Sequence, residues 1–289
     1  MSLTLRPTDA TLGAVVTGVD LAALAAQQWQ AIETAFYEYG VLFFPGQHLS
    51  AQAQLEFAQR FGEIEVLVEG MKTIPIANKG PDGALLEKNS ERMKLLRGNE
   101  GWHTDSSYMP LAAKVSVLAA HLLPSAGSQT EWADARAAYD ALDGAMQTRI
   151  AHLNAHHSYF YSQAKIGHQV EVGAAYGFFA GESPLRPLVK IHPVTQRPAL
   201  YLGRHAASIV GMEQSEAEAL IAQLNAFICQ PPRVYTHHWQ AGDVAVWDNR
   251  CLLHRARPYD YREERVMMHT RVKGDCASES ALNAQTIAA

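Results

Sequence analysis

Val244-Ala245-Val246-Trp247-Asp248-Asn249-Arg250-Cys251-Leu252-Leu253-His254 reads as strand, turn and strand, and it delivers His254 at the start of the second strand. Outward from this hairpin, strand-like runs recur at residues 13–17, 41–44, 114–122, 188–192, 199–202, 234–239, 243–247 and 265–272. Pro45-Gly46, Pro124 and Ala241-Gly242-Asp243 punctuate them as turns. Helical patterns are fewer. One covers about residues 28–39 with Gly40 as its C-cap, and one opens at Ser50 and stops at Gly62. A third opens at Asp134 with Ala138, Leu142 and Met146 at helical spacing, and a fourth opens at Ser215 with Ala219, Leu220, Leu224 and Ile228 as its inward stripe. Many short strands with helices inserted among them predict an antiparallel sandwich or barrel with helical decoration, not alternating βαβ units. The stretch from His156 to Pro187 lacks periodicity, which predicts a mobile lid or active-site loop.

The bulk composition narrows the class. Of 289 residues 48% are apolar and 18% charged, which suits a soluble globular protein with a sizeable core. No repeat or linker divides the chain, so residues 1–289 are expected to form one domain. A net charge of -5 gives no electrostatic reason to expect nucleic acid or an anionic membrane as partner. No apolar run approaches the roughly 20 residues of a membrane-spanning helix, and the N-terminus carries no secretory pattern. The 3 cysteines are scattered, forming neither a disulfide framework nor a CxxC clip. A cytoplasmic location is expected.

The chemistry centres on Gly101-Trp102-His103-Thr104-Asp105. Residues two apart on a strand point to the same side, so His103 and Asp105 can converge on one ion. An isolated HxD says little in a chain with 13 histidines. It gains weight from His254 and from Arg265, eleven residues further on. Two imidazoles and a carboxylate on one face of a metal leave coordination positions open for co-substrate and dioxygen, the arrangement of non-haem Fe(II) oxygenases. A dicarboxylate chelating such a metal through one end needs a cation at the other, and arginine offers a bidentate fork. Alone, His103 and Asp105 would read as a hydrogen-bonded turn and Arg265 as a solvated strand residue.

The sequence resembles the taurine dioxygenase/TfdA-like family of Fe(II)- and 2-oxoglutarate-dependent dioxygenases from about Leu12 to Asp275. The segments that carry the likeness are Thr11 to Leu21, Trp102-His103-Thr104-Asp105, Trp247-Asp248-Asn249-Arg250, and His254 with its trailing Arg265. Within that family it is most similar to the (S)-2-aryloxypropionate (phenoxyalkanoate herbicide) dioxygenases, through residues 98–103, 230–233, 247–254 and 274–279. The resemblance implies a double-stranded β-helix (jelly-roll) core, mainly β with flanking helices. It implies His103, Asp105 and His254 as iron ligands, Thr130 and Arg265 as holders of 2-oxoglutarate, and Asn99 in the reaction pocket. Where the taurine enzymes carry a sulfonate-binding arginine, this chain has His269, with Arg271 two residues on. Strand alternation puts Arg265, Met267, His269 and Arg271 on one face, so Arg271 is expected to meet the substrate's carboxylate. Structural ion pairing of Arg271 with a local carboxylate is the bland alternative. The implied reaction consumes 2-oxoglutarate and O2 and attacks a small anionic substrate, an aryloxyalkanoate, at the carbon beside its ether oxygen. The product then parts into a phenol and a 2-oxo or aldehyde acid.

The rivals are an alkylsulfonate or alkylsulfate hydroxylase of the same family and a non-catalytic metal-binding jelly roll. Association into a homo-oligomer is expected. The pairs His156-His157 and His237-His238 read as surface or satisfied core histidines. Tyr159, Phe160 and Tyr161 read as packing residues that could also shape an aromatic pocket.

Overall fold

Side chains of a strand alternate between two faces, and here the central strands are covered on both. The structure is a computed structural model that describes residues 2–66, 68–170 and 181–284. It opens with β1 (Thr4–Pro7), β2 (Ala14–Thr17), a 3-10 turn (Leu21–Ala23), α1 (Ala26–Tyr39), β3 (Val41–Phe44), α2 (Ala51–Gln59), β4 (Ile74–Ala77) and α3 (Glu91–Gly98). The middle holds β5 (Ala113–Leu122), β6 (Thr130–Asp134), α4 (Ala135–Asp140), α5 (Gly144–Ile150), β7 (Asn154–His157), α6 (Tyr159–Ala164), β8 (Leu185–Pro187), β9 (Val189–Ile191), β10 (Pro198–Leu200) and β11 (Ala206–Ile209). It ends with α7 (Gln214–Ile228), β12 (Val234–His237), β13 (Val244–Asp248), β14 (Leu252–Ala256), β15 (Val266–Lys273) and α8 (Cys276–Glu279).

A seven-stranded sheet runs β1-β2-β3-β13-β5-β15-β4, and a three-stranded sheet, β12-β6-β14, packs against it. Alternation splits the large sheet between two cores. Val41 and Phe43 of β3, Ala245 and Trp247 of β13, and Leu118 of β5 meet Trp132, Leu252 and Leu253 of the small sheet. Leu42, Phe44, Val244, Val246, Val117 and Ala119 face the other way, onto Ile32 and Phe36 of α1 and Phe57 of α2. Near-continuous apolar runs mark strands of this kind because neither face meets water. Trp132 lies at the sandwich centre, edge-on to Phe43 at 5.2 Å and to Trp247 at 5.6 Å. This is the mainly β, jelly-roll architecture with flanking helices that the sequence predicts.

Gly40 caps α1 with φ 75, a left-handed conformation that costs glycine little. Ser50 caps α2 through its hydroxyl, as expected. The helix expected from Asp134 is two helices instead. Asp134 caps α4, but the chain breaks after Asp140, and Asp143 starts α5 by accepting from the Met146 amide at 2.7 Å. The stretch from His156 to Pro187 is also not one loop, since it contains α6 and β8; residues 171–180 lie outside the described residues, so the expected lid falls partly beyond them. Among the described residues no helix is long and apolar enough to cross a membrane.

Candidate active site

His103 and Asp105 do not lie on a regular strand, contrary to expectation. His103 makes a single antiparallel bridge with His254, through reciprocal backbone hydrogen bonds of 3.0 and 2.8 Å. Asp105 follows in a turn whose next residue, Ser106, has φ 54. His254 sits in the middle of β14, not at its start. The bridge therefore does what strand alternation was expected to do. Ligand atoms of His103, Asp105 and His254 all lie within 4.8 Å of one another, and all three residues are buried.

The surroundings prepare these groups to hold a cation. His103 Nδ1 lies 2.8 Å from the Gly101 carbonyl, so it carries the proton and leaves the Nε2 lone pair free. Burial pulls the His103 pKa down to about 4 despite the neighbouring Asp105, and burial also holds His254 well below its usual range. Both imidazoles are thus neutral near pH 7, the form that binds metal. For Asp105 burial pushes the pKa up, but Arg271, His254 and His269 together hold it well below the carboxylate range. Ser116 Oγ donates to Asp105 Oδ2 at 2.6 Å, and Asn249 both accepts from the Asp105 amide at 3.2 Å and donates to Ser116 Oγ at 2.9 Å. Trp247 Nε1 fixes Asn249 in turn at 3.0 Å. Two neutral imidazoles and one fixed carboxylate suit a divalent first-row metal.

One cavity joins this cluster to Thr130 and Arg265, with Leu118, Trp247 and Asn99 also on its walls. Thr130 Oγ1 accepts from Trp239 Nε1 at 2.9 Å, which leaves its own hydrogen to donate into the cavity. Arg265 is 5% exposed, its Nε has no partner, and no carboxylate pairs with it among the described residues. The Tyr259 ring lies 5.7 Å from its guanidinium. Burial accordingly pulls the Arg265 pKa down. A buried cation without a counter-ion is costly in a folded chain unless an anion enters to pair with it.

A second cavity also takes in His103 and Asp105 and is lined by Ile76, Leu95 and Leu96 and by the rings of Tyr108, Tyr159 and His205. Asn99 and Arg271 line both cavities, and His269 lines the first. Asn99 is also the C-cap residue of α3. Arg271 bonds Asp105 Oδ1 at 2.9 Å and Ser106 Oγ at 3.2 Å, while its Nε has no partner among the described residues. His269 stacks on Trp247 at 5.7 Å with its Nε2 3.5 Å from Asp105 Oδ2. The structure thus brings all eight sequence-predicted residues to one continuous region. Sequence reasoning missed Tyr108, Ser116, Asn249, Arg204 and His205. Their hydroxyl, amide, guanidinium and imidazole groups form no local pattern, and only the tertiary fold assembles them.

Other histidine clusters serve packing. His157 is buried against Tyr201, and His237 stacks on Phe43 while bonding Asp243 at 3.1 Å. His192, Asp248 and Cys251 lie close enough to suggest a second metal site. The hydrogen bonds argue otherwise. His192 Nδ1 accepts from the amides of Val194 and Thr195, so Nε2 carries the proton and donates to Asp248 at 3.0 Å. Arg250 saturates the same carboxylate at 2.8 and 2.7 Å. This is a structural knot at the base of the β13–β14 turn.

Comparison with known proteins agrees with this geometry. The profile of a family described as "Taurine catabolism dioxygenase TauD, TfdA family" matches residues 4–271. A (S)-phenoxypropionate/alpha-ketoglutarate-dioxygenase of Sphingobium herbicidovorans is 50% identical, with 96% of this chain and 97% of the relative covered. A protein of the same name from Delftia acidovorans is 47% identical, with 97% and 98% covered. The crystal structure of AAD-2 in complex with Mn(II) and N-oxalylglycine superposes with a TM-score of 0.90 at 35% identity, covering 98% of this chain and 100% of that one. A match running through both ligand-bearing segments, in a fold shared along the whole chain, leaves one assignment: this chain belongs to the TauD/TfdA family of dioxygenases.

Proposed function

We propose that this chain is an Fe(II)- and 2-oxoglutarate-dependent dioxygenase that oxidises an aryloxyalkanoate at the carbon next to its ether oxygen. The observation that carries the reading is Arg265, a buried guanidinium with no acidic partner among the described residues, in one cavity with His103, Asp105 and His254. A protein that merely bound metal would have no use for that unpaired cation. In this reading His103, Asp105 and His254 hold Fe(II), which when bound supplies the oxidising chemistry with 2-oxoglutarate and O2. Arg265 grips the distal carboxylate of 2-oxoglutarate, and Thr130 donates to the same molecule. The substrate occupies the cavity bounded by Tyr108 and Leu95, with Arg271 on its carboxylate, Asn99 at the boundary and His269 supporting from beneath.

Arg271 is bonded to Asp105 in this structure, the local pairing that was the bland alternative. That bond does not exhaust it, because Nε is unpaired and an arginine presents a fork of donors. Net chemistry balances as substrate, 2-oxoglutarate and O2 giving hydroxylated substrate, succinate and CO2; the hydroxylated ether carbon then releases a phenol and a 2-oxo or aldehyde acid. The relatives' names support the substrate class, and the aromatic wall of Tyr108, Tyr159 and His205 favours an aryl group over an alkyl sulfate. The test is a panel of both 2-phenoxypropionate enantiomers, phenoxyacetate, taurine and an alkyl sulfate, with succinate and phenol measured separately. Succinate formed only with the alkyl sulfate or taurine would move the enzyme to the other branch.

A further inference from the structure

Arg186 lies on β8, far along the chain from the site, and lines neither cavity. It is nonetheless 3% exposed and spends its guanidinium on main-chain carbonyls. Nε donates to Ser107 at 3.2 Å, Nη2 to Met109 at 2.5 Å and Pro110 at 3.4 Å, and Nη1 to Glu279 at 2.5 Å. Burying a cation to tie neutral carbonyls is expensive, and apolar packing would serve stability at least as well. The segment it ties is therefore the clue. Residues 107–110 begin two positions after Asp105 and contain Tyr108.

Asp105 does not need this clamp, because Ser116 holds its carboxylate and Asn249 its amide. Ser106 is also anchored, donating to Glu65 Oε2 at 2.7 Å. The stretch beyond is held by the Met109 amide on the Ser106 carbonyl at 2.9 Å and the Ala281 amide on the Pro110 carbonyl at 2.8 Å, and Arg186 adds the carbonyls of Ser107 and Met109, on either side of Tyr108. Tyr108 packs 4.7 Å from the Tyr159 ring and 4.8 Å from His205, and His205 lies 6.0 Å from His103. The three rings are contiguous from His103 outward and line the second cavity together with Ile76, Leu95 and Leu96. Aromatic faces of this kind stack against a planar ring.

We infer that Arg186 is a positioning residue for the organic substrate, acting at a distance by holding the Ser107–Pro110 carbonyls so that Tyr108 forms one side of an aryl-binding slot. The inference rests on the functional reading above. Lysine at this position keeps the charge but loses the planar fork that reaches several carbonyls together.

The test is a double-mutant cycle read by binding, not turnover. Wild type, Arg186→Lys, Tyr108→Leu and the double variant are loaded with Mn(II) and N-oxalylglycine, and 2-phenoxypropionate affinity is measured by calorimetry. Arg186→Lys is expected to weaken phenoxypropionate roughly tenfold, the scale of coupling between interacting groups, while N-oxalylglycine affinity stays within about twofold. In the Tyr108→Leu background the same substitution should change phenoxypropionate affinity by less than about twofold, because its route of action is gone. Penalties that multiply in the double variant, or an equal loss of N-oxalylglycine affinity, overturn the inference and make Arg186 a general fold residue. Should Arg186→Lys not fold by circular dichroism, Arg186→Gln, which drops the buried charge and keeps two donors, replaces it with the same expected pattern. A wild-type protein that binds N-oxalylglycine but no phenoxypropionate overturns the functional reading and the inference together. Binding by wild type with multiplying penalties overturns the inference alone.

Discussion

Replacing Arg265 with Met separates two effects that the structure predicts to have opposite signs. The guanidinium is 5% exposed and has neither a carboxylate nor a partner for Nε among the described residues. Its removal relieves an uncompensated buried charge, so Arg265→Met should melt no lower than wild type. In the proposed reading the same change strips the distal carboxylate of bound 2-oxoglutarate of its cation. Truncating one partner of a buried, hydrogen-bonded charge pair costs about 2–5 kcal/mol. At about 1.4 kcal/mol per tenfold, that weakens 2-oxoglutarate roughly 30-fold at the least and several thousand-fold at the most. The assay is succinate formation against 2-oxoglutarate concentration, alongside thermal melts with and without Mn(II) and N-oxalylglycine. Wild type should gain stability from the analogue and Arg265→Met should gain far less. An unaltered KM for 2-oxoglutarate would refute the assignment and move the clamp elsewhere, with Arg271 the first candidate.

Other substitutions probe the remaining groups. Asp105→Ala removes the anionic ligand and should abolish turnover with the fold intact by circular dichroism; wild-type succinate production by this variant is incompatible with the ligand set. Arg271→Ala should weaken the organic substrate while leaving substrate-independent decarboxylation of 2-oxoglutarate nearly intact; loss of both places Arg271 in the co-substrate site, and loss of neither makes it structural. His157 supplies a pH prediction. Burial holds its pKa at about 3, and neither ring nitrogen has a partner among the described residues. The unfolded chain protonates it near pH 6.5 and the folded one does not, so the unfolded state binds more protons between those values and stability falls as pH drops through that window. From neutral pH to pH 5 this group alone removes about 2 kcal/mol. Comparing wild type with His157→Phe by urea denaturation at pH 7 and 5 should show a shallower pH dependence in the variant; parallel slopes would show that His157 is not held neutral.

Much of the fold is legible in the sequence for one reason: β3, β5 and β13 bury both faces, so they stand out as apolar runs. Gly40 and Ser50 mark helix ends because their conformational and hydrogen-bonding roles are local. Helix α3 left no trace, since Glu91–Gly98 is short, half charged and buries Met93, Leu95 and Gly98 alone. Strand β6 was missed because Thr130–Asp134 is short and does not alternate cleanly. The convergence of His103 and Asp105 was predicted through strand geometry, yet it arises from one bridge to His254 and a turn at Ser106. Pattern gave the right neighbours by the wrong local route. The support beneath them could not be read at all: Asn249 and Ser116 are 133 residues apart in sequence. Arg186 reaches Ser107 across 79 residues. Only the folded sheet brings such groups together.

The central claim is that oxidation of an aryloxyalkanoate is coupled to 2-oxoglutarate at the His103, Asp105 and His254 cluster. Its most direct test measures phenol and succinate together from purified protein, Fe(II), 2-oxoglutarate, 2-phenoxypropionate and O2. The account predicts that the two products accumulate one for one, and that both vanish when iron, 2-oxoglutarate or O2 is withheld or when Asp105→Ala replaces wild type. Phenol released without succinate, or undiminished in Asp105→Ala, would contradict it.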